Sequence, residues 1–259
     1  MQAATIVPKY AAAYLTRDQR DARKTAVEVV LSDAPIDAAG ATAALDPHMH
    51  VINQDALKHR NYVLLWVRPA GEVSMNATFS ETMTQFVDAT GDTLKAELTE
   101  NTASRIAGRI FTAAPVKTMG GETYTVDLKF AVDVTRLPAA TMLPAGGAEP
   151  GQAFTTFLAG ARKKDWPAIK AGATDHTVAV FYEEYRSPEE NADYALDLLN
   201  AWLPKAKLTV TGGERRGDVA DLDIAGEMFP GTLAIYRVRM IKGGERWLFD
   251  SANVAGMVP

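Results

Sequence analysis

The stretch Leu137-Pro-Ala-Ala-Thr-Met-Leu-Pro-Ala-Gly-Gly-Ala-Glu-Pro-Gly151 constrains this chain more than any other. Three prolines remove backbone donors and fix φ, and three glycines add conformational freedom among small residues. Such a run supports neither a long helix nor a central strand, so it divides the chain. Residues 1–137 read as one domain, 138–150 as a linker and 151–259 as a second domain. A chain of 259 residues suits two domains of ordinary size, each able to bury a core of its own.

Composition narrows what those domains are. With 47% hydrophobic and 23% charged residues, the chain has the apolar content of a globular protein and not that of a disordered or collagen-like one. Its longest strongly apolar run, Tyr62-Val-Leu-Leu-Trp-Val67, falls far short of the roughly 20 residues that a membrane-spanning helix needs. Against 32 acidic side chains stand 27 basic ones, for a net charge of −5 with no long basic block, so nucleic acid is not the expected partner. The absence of cysteine removes disulfides, thiolate nucleophiles and Cys-based zinc sites together, and it suits an oxidising compartment. Met1-Gln-Ala-Ala-Thr5 reads as a start beside a small-residue cleavage site, so the expectation is an extracytoplasmic protein, periplasmic or secreted, with its signal segment removed.

Before the divide the signals are short β-branched and aromatic segments. Tyr62 to Arg68 and Val73 to Phe79 flank Pro69-Ala-Gly-Glu72, a compact hairpin. Thr93 to Thr99, Ser104 to Thr112 and Glu122 to Val134 follow as strands. In the last of these Tyr124, Val126, Leu128, Phe130 and Val132 share one parity and therefore one buried face. Lys9 to Leu15 passes for helix by its alanines, but the polar turn Asp18-Gln-Arg-Asp21 and the strand Thr25 to Leu31 make it half of a hairpin. Between Ile36 and His59 the Asp46-Pro47 start and the Met49, Ile52, Ala56 spacing predict a short helical insertion. The expected architecture is an antiparallel β-sandwich with one helical excursion.

After the divide Phe154, Phe157, Leu158 and Ala161 recur at helical spacing, and Pro167 opens a second helix. His176 to Tyr185 forms a third segment. Ser187-Pro-Glu-Glu190 carries an N-cap, a proline at the first helical position and a capping-box glutamate, with Ala195, Leu199 and Trp202 as the buried stripe. Four strands follow. A Gly243-Gly244 turn sets Met240 opposite Trp247, Val238 opposite Phe249 and Arg237 opposite Asp250. A three-residue loop at Phe229-Pro-Gly231 sets Leu222 opposite Val238, Ile224 opposite Tyr236, Asp223 opposite Arg237 and Asp221 opposite Arg239. Both turns separate the same apolar face from the same charged one, and a one-residue slip in either would invert it.

Helices followed by a long antiparallel meander ending in Arg246-Trp-Leu-Phe-Asp-Ser251 resemble the cone-shaped nuclear transport factor 2-like (ketosteroid isomerase-like) superfamily over residues 150–259. The resemblance implies an α+β cone whose interior is the place for a ligand. It includes both enzymes and non-catalytic binding domains, so the fold does not choose between them. The first half resembles uncharacterised secreted bacterial β-domains in Val27-Glu-Val-Val-Leu-Ser-Asp-Ala-Pro35 and in Arg105-Ile-Ala-Gly-Arg-Ile110 leading to Tyr124-Thr-Val-Asp-Leu-Lys-Phe130. That likeness implies an extracytoplasmic location and no activity.

The register turns Leu208, Val210, Leu222, Ile224, Tyr236, Val238, Met240, Trp247 and Phe249 inward, with no strand carboxylate among them. The candidate ligand pocket is therefore Leu222, Tyr236, Met240, Trp247 and Phe249, with His176 and Tyr182 reaching in from the helices. Arg237, Arg239, Asp223 and Asp250 form a charged ladder on the outer face and a candidate interface for a homodimer. His48-Met49-His50 is the one compact set of metal-capable side chains, but helical placement turns its two imidazoles about 200° apart, which favours packing over chelation. No catalytic residue, metal or cofactor is assigned. The chain is expected to be a two-domain bacterial protein acting by binding, to a small apolar ligand or a protein partner. The alternative is an isomerase- or dehydratase-like enzyme using the cone, with His176, Tyr182 or Tyr185 as acid or base.

Overall fold

A computed structural model describes residues 7–18, 21–54, 57, 60–79, 84–117, 123–204 and 206–258. The chain forms two compact units; the main division in sequence falls between Leu137 and Pro138, and residues 21–23 group with the second unit. No helix among the described residues is long and apolar enough to cross a membrane.

The first unit contains β1 (Tyr10–Asp18), β2 (Asp21–Ser32), α1 (Ala38–Ala43), α2 (Pro47–Ile52), β3 (Tyr62–Val67), β4 (Val73–Phe79), β5 (Thr84–Ala89), β6 (Leu94–Asn101), β7 (Arg105–Thr112), β8 (Val116–Lys117), β9 (Thr123–Tyr124) and β10 (Asp127–Thr135). The expected pair of packed sheets is not what these strands make. Eight of them hydrogen-bond in one continuous order, β5-β4-β3-β2-β1-β10-β7-β6, joined at its middle by the parallel pairing of β1 with β10. The correction has a geometric cause. Laid flat, eight strands would hold the two edges about 34 Å apart, whereas the short link from Ala89 to Leu94 spans at most about 18 Å. Since β5 and β6 are those edges, the sheet curls until they approach, and Thr90 bridges Leu94 at that corner.

Curling gives the sheet an inside. Val29 and Leu31 of β2, Leu65 of β3, Met75 of β4, Ile106 and Ile110 of β7 and Phe130 of β10 share one core. The opposite face of β1, β2 and β3 is also covered, because Tyr14, Val30, Leu64 and Trp66 pack against Ala41 of α1, Val51 of α2 and Leu57. Double coverage explains why β2 is buried without a break from Ala26 to Ser32 in place of an alternating pattern. It also places a charged residue of that run, Glu28, at zero exposure.

The second unit contains β11 (Thr141–Leu143), α3 (Ala148–Arg162), α4 (Trp166–Gly172), α5 (Asp175–Phe181), α6 (Pro188–Trp202), β12 (Ala206–Arg216), β13 (Val219–Phe229), β14 (Thr232–Gly243) and β15 (Arg246–Met257). Part of the stretch read as a linker is structured. β11 pairs with β12, and α3 already buries Pro150 and Gly151. Three of the four helix starts carry a side-chain cap: Asp165, Thr174 and Ser187 accept from backbone N–H groups of α4, α5 and α6, and Glu190 closes the capping box at Ser187. The five strands run β11-β12-β13-β14-β15, and the helices bury Phe154, Phe157, Ile169, Phe181 and Leu199 against one face. Mixed helices and strands with helices on one sheet face are the α+β arrangement expected of this half.

Both hairpin turns differ by one residue from the expected ones. Pairing of Phe229 with Thr232 leaves Pro230-Gly231 as the loop, with Gly231 at φ 79°. A bulge between Glu227 and Phe229 absorbs the odd residue, so Leu222 still meets Val238, Ile224 meets Tyr236, Asp223 meets Arg237 and Asp221 meets Arg239. At the next hairpin Gly243 pairs with Arg246, and Gly244 at φ 65° takes the first loop position, where a type II′ turn needs a positive φ. Met240 therefore meets Phe249, and Lys242 meets Trp247. From the turn to Phe249 the alignment has moved by an even number of positions, so those side chains keep their faces.

Candidate functional site

The inward face of the C-terminal sheet is a packed core. Leu222, Val238, Met240 and Phe249 have no exposure, Tyr236 keeps 3% and Trp247 6%. Phe157 of α3 stacks on Phe249 with ring centroids 4.6 Å apart, and Phe154 stacks on the same ring at 6.3 Å. Helix aromatics thus stand directly on the strand residues named as a candidate pocket, filling the space in front of them. Burial raises the Tyr236 phenol above its ordinary value. Among the described residues, the inward positions of β12, β13 and β14 carry no carboxylate and no imidazole.

The helix residues named with them lie elsewhere. His176, in the first turn of α5, is exposed. Tyr182 is 48% exposed and lies over Trp166 at 6.4 Å, and Tyr185 is exposed. The reason is the phase of α5: Thr174 caps it, which turns Thr177 and Phe181 toward the core and leaves His176 and Val180 outside. Sequence periodicity over so short a helix does not fix that phase.

The outward face gathers the charges into one network. Glu214 Oε1 accepts from Arg237 Nη2 at 2.7 Å, and Glu214 Oε2 accepts from Arg216 Nη2 at 2.9 Å. Arg237 also approaches Asp223 at 3.6 Å. Beside them Arg239 grips Asp221 through two bonds of 2.8 and 2.9 Å. Burial pushes the Glu214 carboxyl upward, but the hydrogen bonds and charges of Arg216 and Arg237 outweigh it and bring the value to about 2. Gly212-Gly-Glu-Arg-Arg-Gly217 reads in sequence as a turn, but β12 continues to Arg216 and sets Glu214 opposite Asp221.

Asp250 does not belong to this ladder. A bulge between the pairings of Arg239 and Met240 passes over it, so Arg237 pairs with Asn253. The Asp250 carboxylate instead accepts from Thr174 Oγ1 at 3.1 Å, and its carbonyl accepts from Thr177 Oγ1. Asp250 ties the start of α5 to the sheet's edge strand.

A second polar cluster lies in the first unit, between sheet and helices. Glu28 occupies β2 opposite Trp66 of β3, on the face that α2 covers. Its Oε1 lies 2.9 Å from His48 Nδ1, and the imidazole stands 5.4 Å from the Trp66 ring. Burial lowers the His48 imidazole, but the Glu28 hydrogen bond and charge, helped by Asp46, leave it raised above its ordinary value. Glu28 Oε2 and the Tyr14 hydroxyl are both buried on this face. Burial and the Glu28 carboxylate together push the Tyr14 phenol far upward. His50 turns away to Asp37, 3.5 Å distant, as expected of helical neighbours two apart. No three metal-ligating side chains converge among the described residues. The Glu28–His48 pair was not foreseen, although a lone glutamate within Val27-Glu-Val-Val-Leu31 is its sequence signal: a buried carboxylate requires a partner.

No family model and no curated protein matches the chain. Among solved structures it is similar to an "Ntf2 like protein involved in plasmid conjugation", with 8% identity over 96% of this chain and 78% of that one. The TM-score is 0.24, too low for the likeness to carry an argument.

Proposed function

We propose that the protein acts by binding and not by catalysis, outside the bacterial cytoplasm, and that its contact surface is the outer face of the C-terminal sheet. The carrying observation is the separation of chemistry between the two faces. The inward face is apolar and occupied by Phe154 and Phe157, whereas the outward face holds Arg216, Arg237 and Arg239 among Glu214, Asp221 and Asp223. A patch that carries both signs offers each charge an opposite one on a second copy, as a two-fold contact between identical chains requires. The partner is therefore a second copy of this chain. The cysteine-free composition suits an extracytoplasmic setting.

Sedimentation equilibrium at low and high ionic strength tests the reading. The expected result is a dimer that weakens with salt and is lost in Arg237→Glu. A monomer at every concentration overturns self-association. Thermal stabilisation by steroids, fatty acids or polyketide-like aromatics would move the binding site into the interior instead.

A further inference from the structure

We propose that the Glu28–His48 pair is a pH-sensitive latch that holds the α1–α2 hairpin against the sheet of the first unit.

The hairpin needs a latch because neither helix can stand alone. Each has six residues, far below the length at which an isolated helix is stable in water. What docks them is an apolar contact, Ala41 and Val51 against Tyr14, Val30, Leu64 and Trp66, together with the ionic contact of His48 to Glu28 of the sheet. Every charged or titratable group facing His48 bears on that contact. β2 offers Glu28, β1 offers Tyr14, and the N-cap of α2 offers Asp46, while β3 contributes the neutral Trp66 ring. His50 pairs with Asp37 at the start of α1, inside the hairpin, and makes no bridge to the sheet.

The chemistry makes the contact depend on proton occupancy. Glu28 has no exposure, so its carboxylate relies on a positive partner in place of water. Protonated His48 supplies that charge, and its side chain keeps 26% exposure, which leaves solvent protons a route to it. A folded-state value above the unfolded one means the stabilisation is complete below the ordinary imidazole value of about 6.5 and fades as pH rises through the folded value. When the charge is lost, the buried Glu28 carboxyl is left without its cationic partner beneath two helices too short to hold themselves. Opening the hairpin to water is then the route that relieves it.

Hydrogen exchange of the full chain across this range, expressed as protection factors to remove the intrinsic pH dependence, reads the latch directly. Amides of residues 38–52 should lose protection as pH rises, by up to about tenfold for each unit separating the folded from the unfolded value, while β12–β15 stay level. In His48→Gln the dependence should vanish and protection should stay at the alkaline level. Equal pH dependence in variant and wild type, or an equal loss throughout the first unit, would overturn the proposal. Should the variant not fold, imidazole titration by NMR of the wild-type chain decides. A His48 midpoint above the ordinary value, with α2 amides shifting in step, supports the latch; one at or below that value ends it.

Discussion

The two sheets of this molecule meet the problem of charge in opposite ways. The C-terminal sheet sorts it by face: helices cover an apolar surface, and arginines, aspartates and Glu214 sit together on the other side with some access to water. The N-terminal sheet has helices over part of one face and its own curled core on the other, so β2 has no wet side to give Glu28. Strand alternation can separate charge from core only where one face of the sheet is free. Where both are covered, a charged residue has to be paired in place, and His48 is that pair. The C-terminal network should therefore tolerate rearrangement, and the N-terminal pair should not.

The largest expected effect tests whether the C-terminal interior is core and not a vestibule. Phe249→Ala removes a fully buried ring that two helix aromatics stack upon, which should cost about 4 kcal/mol in urea unfolding of the C-terminal unit. If that position lined an open pocket, the loss would be far smaller and small aromatics would stabilise the wild-type chain itself. A dry cavity left by the ring would instead take up benzene and recover part of the loss.

The N-terminal pair gives the next largest effect. His48→Leu leaves Glu28 buried and uncompensated and should cost about 3 kcal/mol at neutral pH. Changing Glu28 to Leu in the same chain should recover most of that, since two apolar groups between Trp66 and Val51 need no partner. A double-mutant cycle from urea titrations checks it. Additive losses in place of recovery would mean that the two side chains are independent, and the contrast between the sheets would disappear.

What could be read in the sequence follows from how local each signal is. The capping box at Ser187 and the faces of β13 and β14 depend on residues a few positions apart, and they stand in the structure as expected. The first loop is one residue shorter than expected and the second keeps its two residues but sits one position later; a bulge at Met228 restores the first alignment and an even shift preserves the second, because burial selects the register more strongly than the turn does. A bulge near Asp250 removes that residue from the ladder, since no pattern in Asp250-Ser-Ala-Asn253 announces an extra residue. Least legible was whatever joins distant segments. The β1–β10 pairing that makes one curled sheet of the first unit spans more than a hundred residues, and Glu28 meets His48 only because two short helices fold back over β2.

The smallest effect concerns Glu214 and separates the two sheets by pH. Its folded value near 2 lies below the unfolded one near 4.5, so the stability it contributes is present above about 4.5 and is lost as pH falls through that interval. Glu214→Gln should cost about 1.5 kcal/mol at neutral pH, because an amide oxygen still accepts from one arginine but brings no charge to either. Between pH 4.5 and 2 the variant should lose less with acid than the wild type does, and the difference between them should narrow toward the lower limit. The His48 term runs the other way, fading with alkali. Thermal scans from acid to alkaline pH would then show the C-terminal transition weakening on the acid side and the N-terminal one on the alkaline side. If Glu214→Gln leaves the acid limb of the C-terminal transition unchanged, the network on the outer face contributes nothing through this carboxylate, and the order of Arg237 and Arg239 has to come from Asp223 and Asp221.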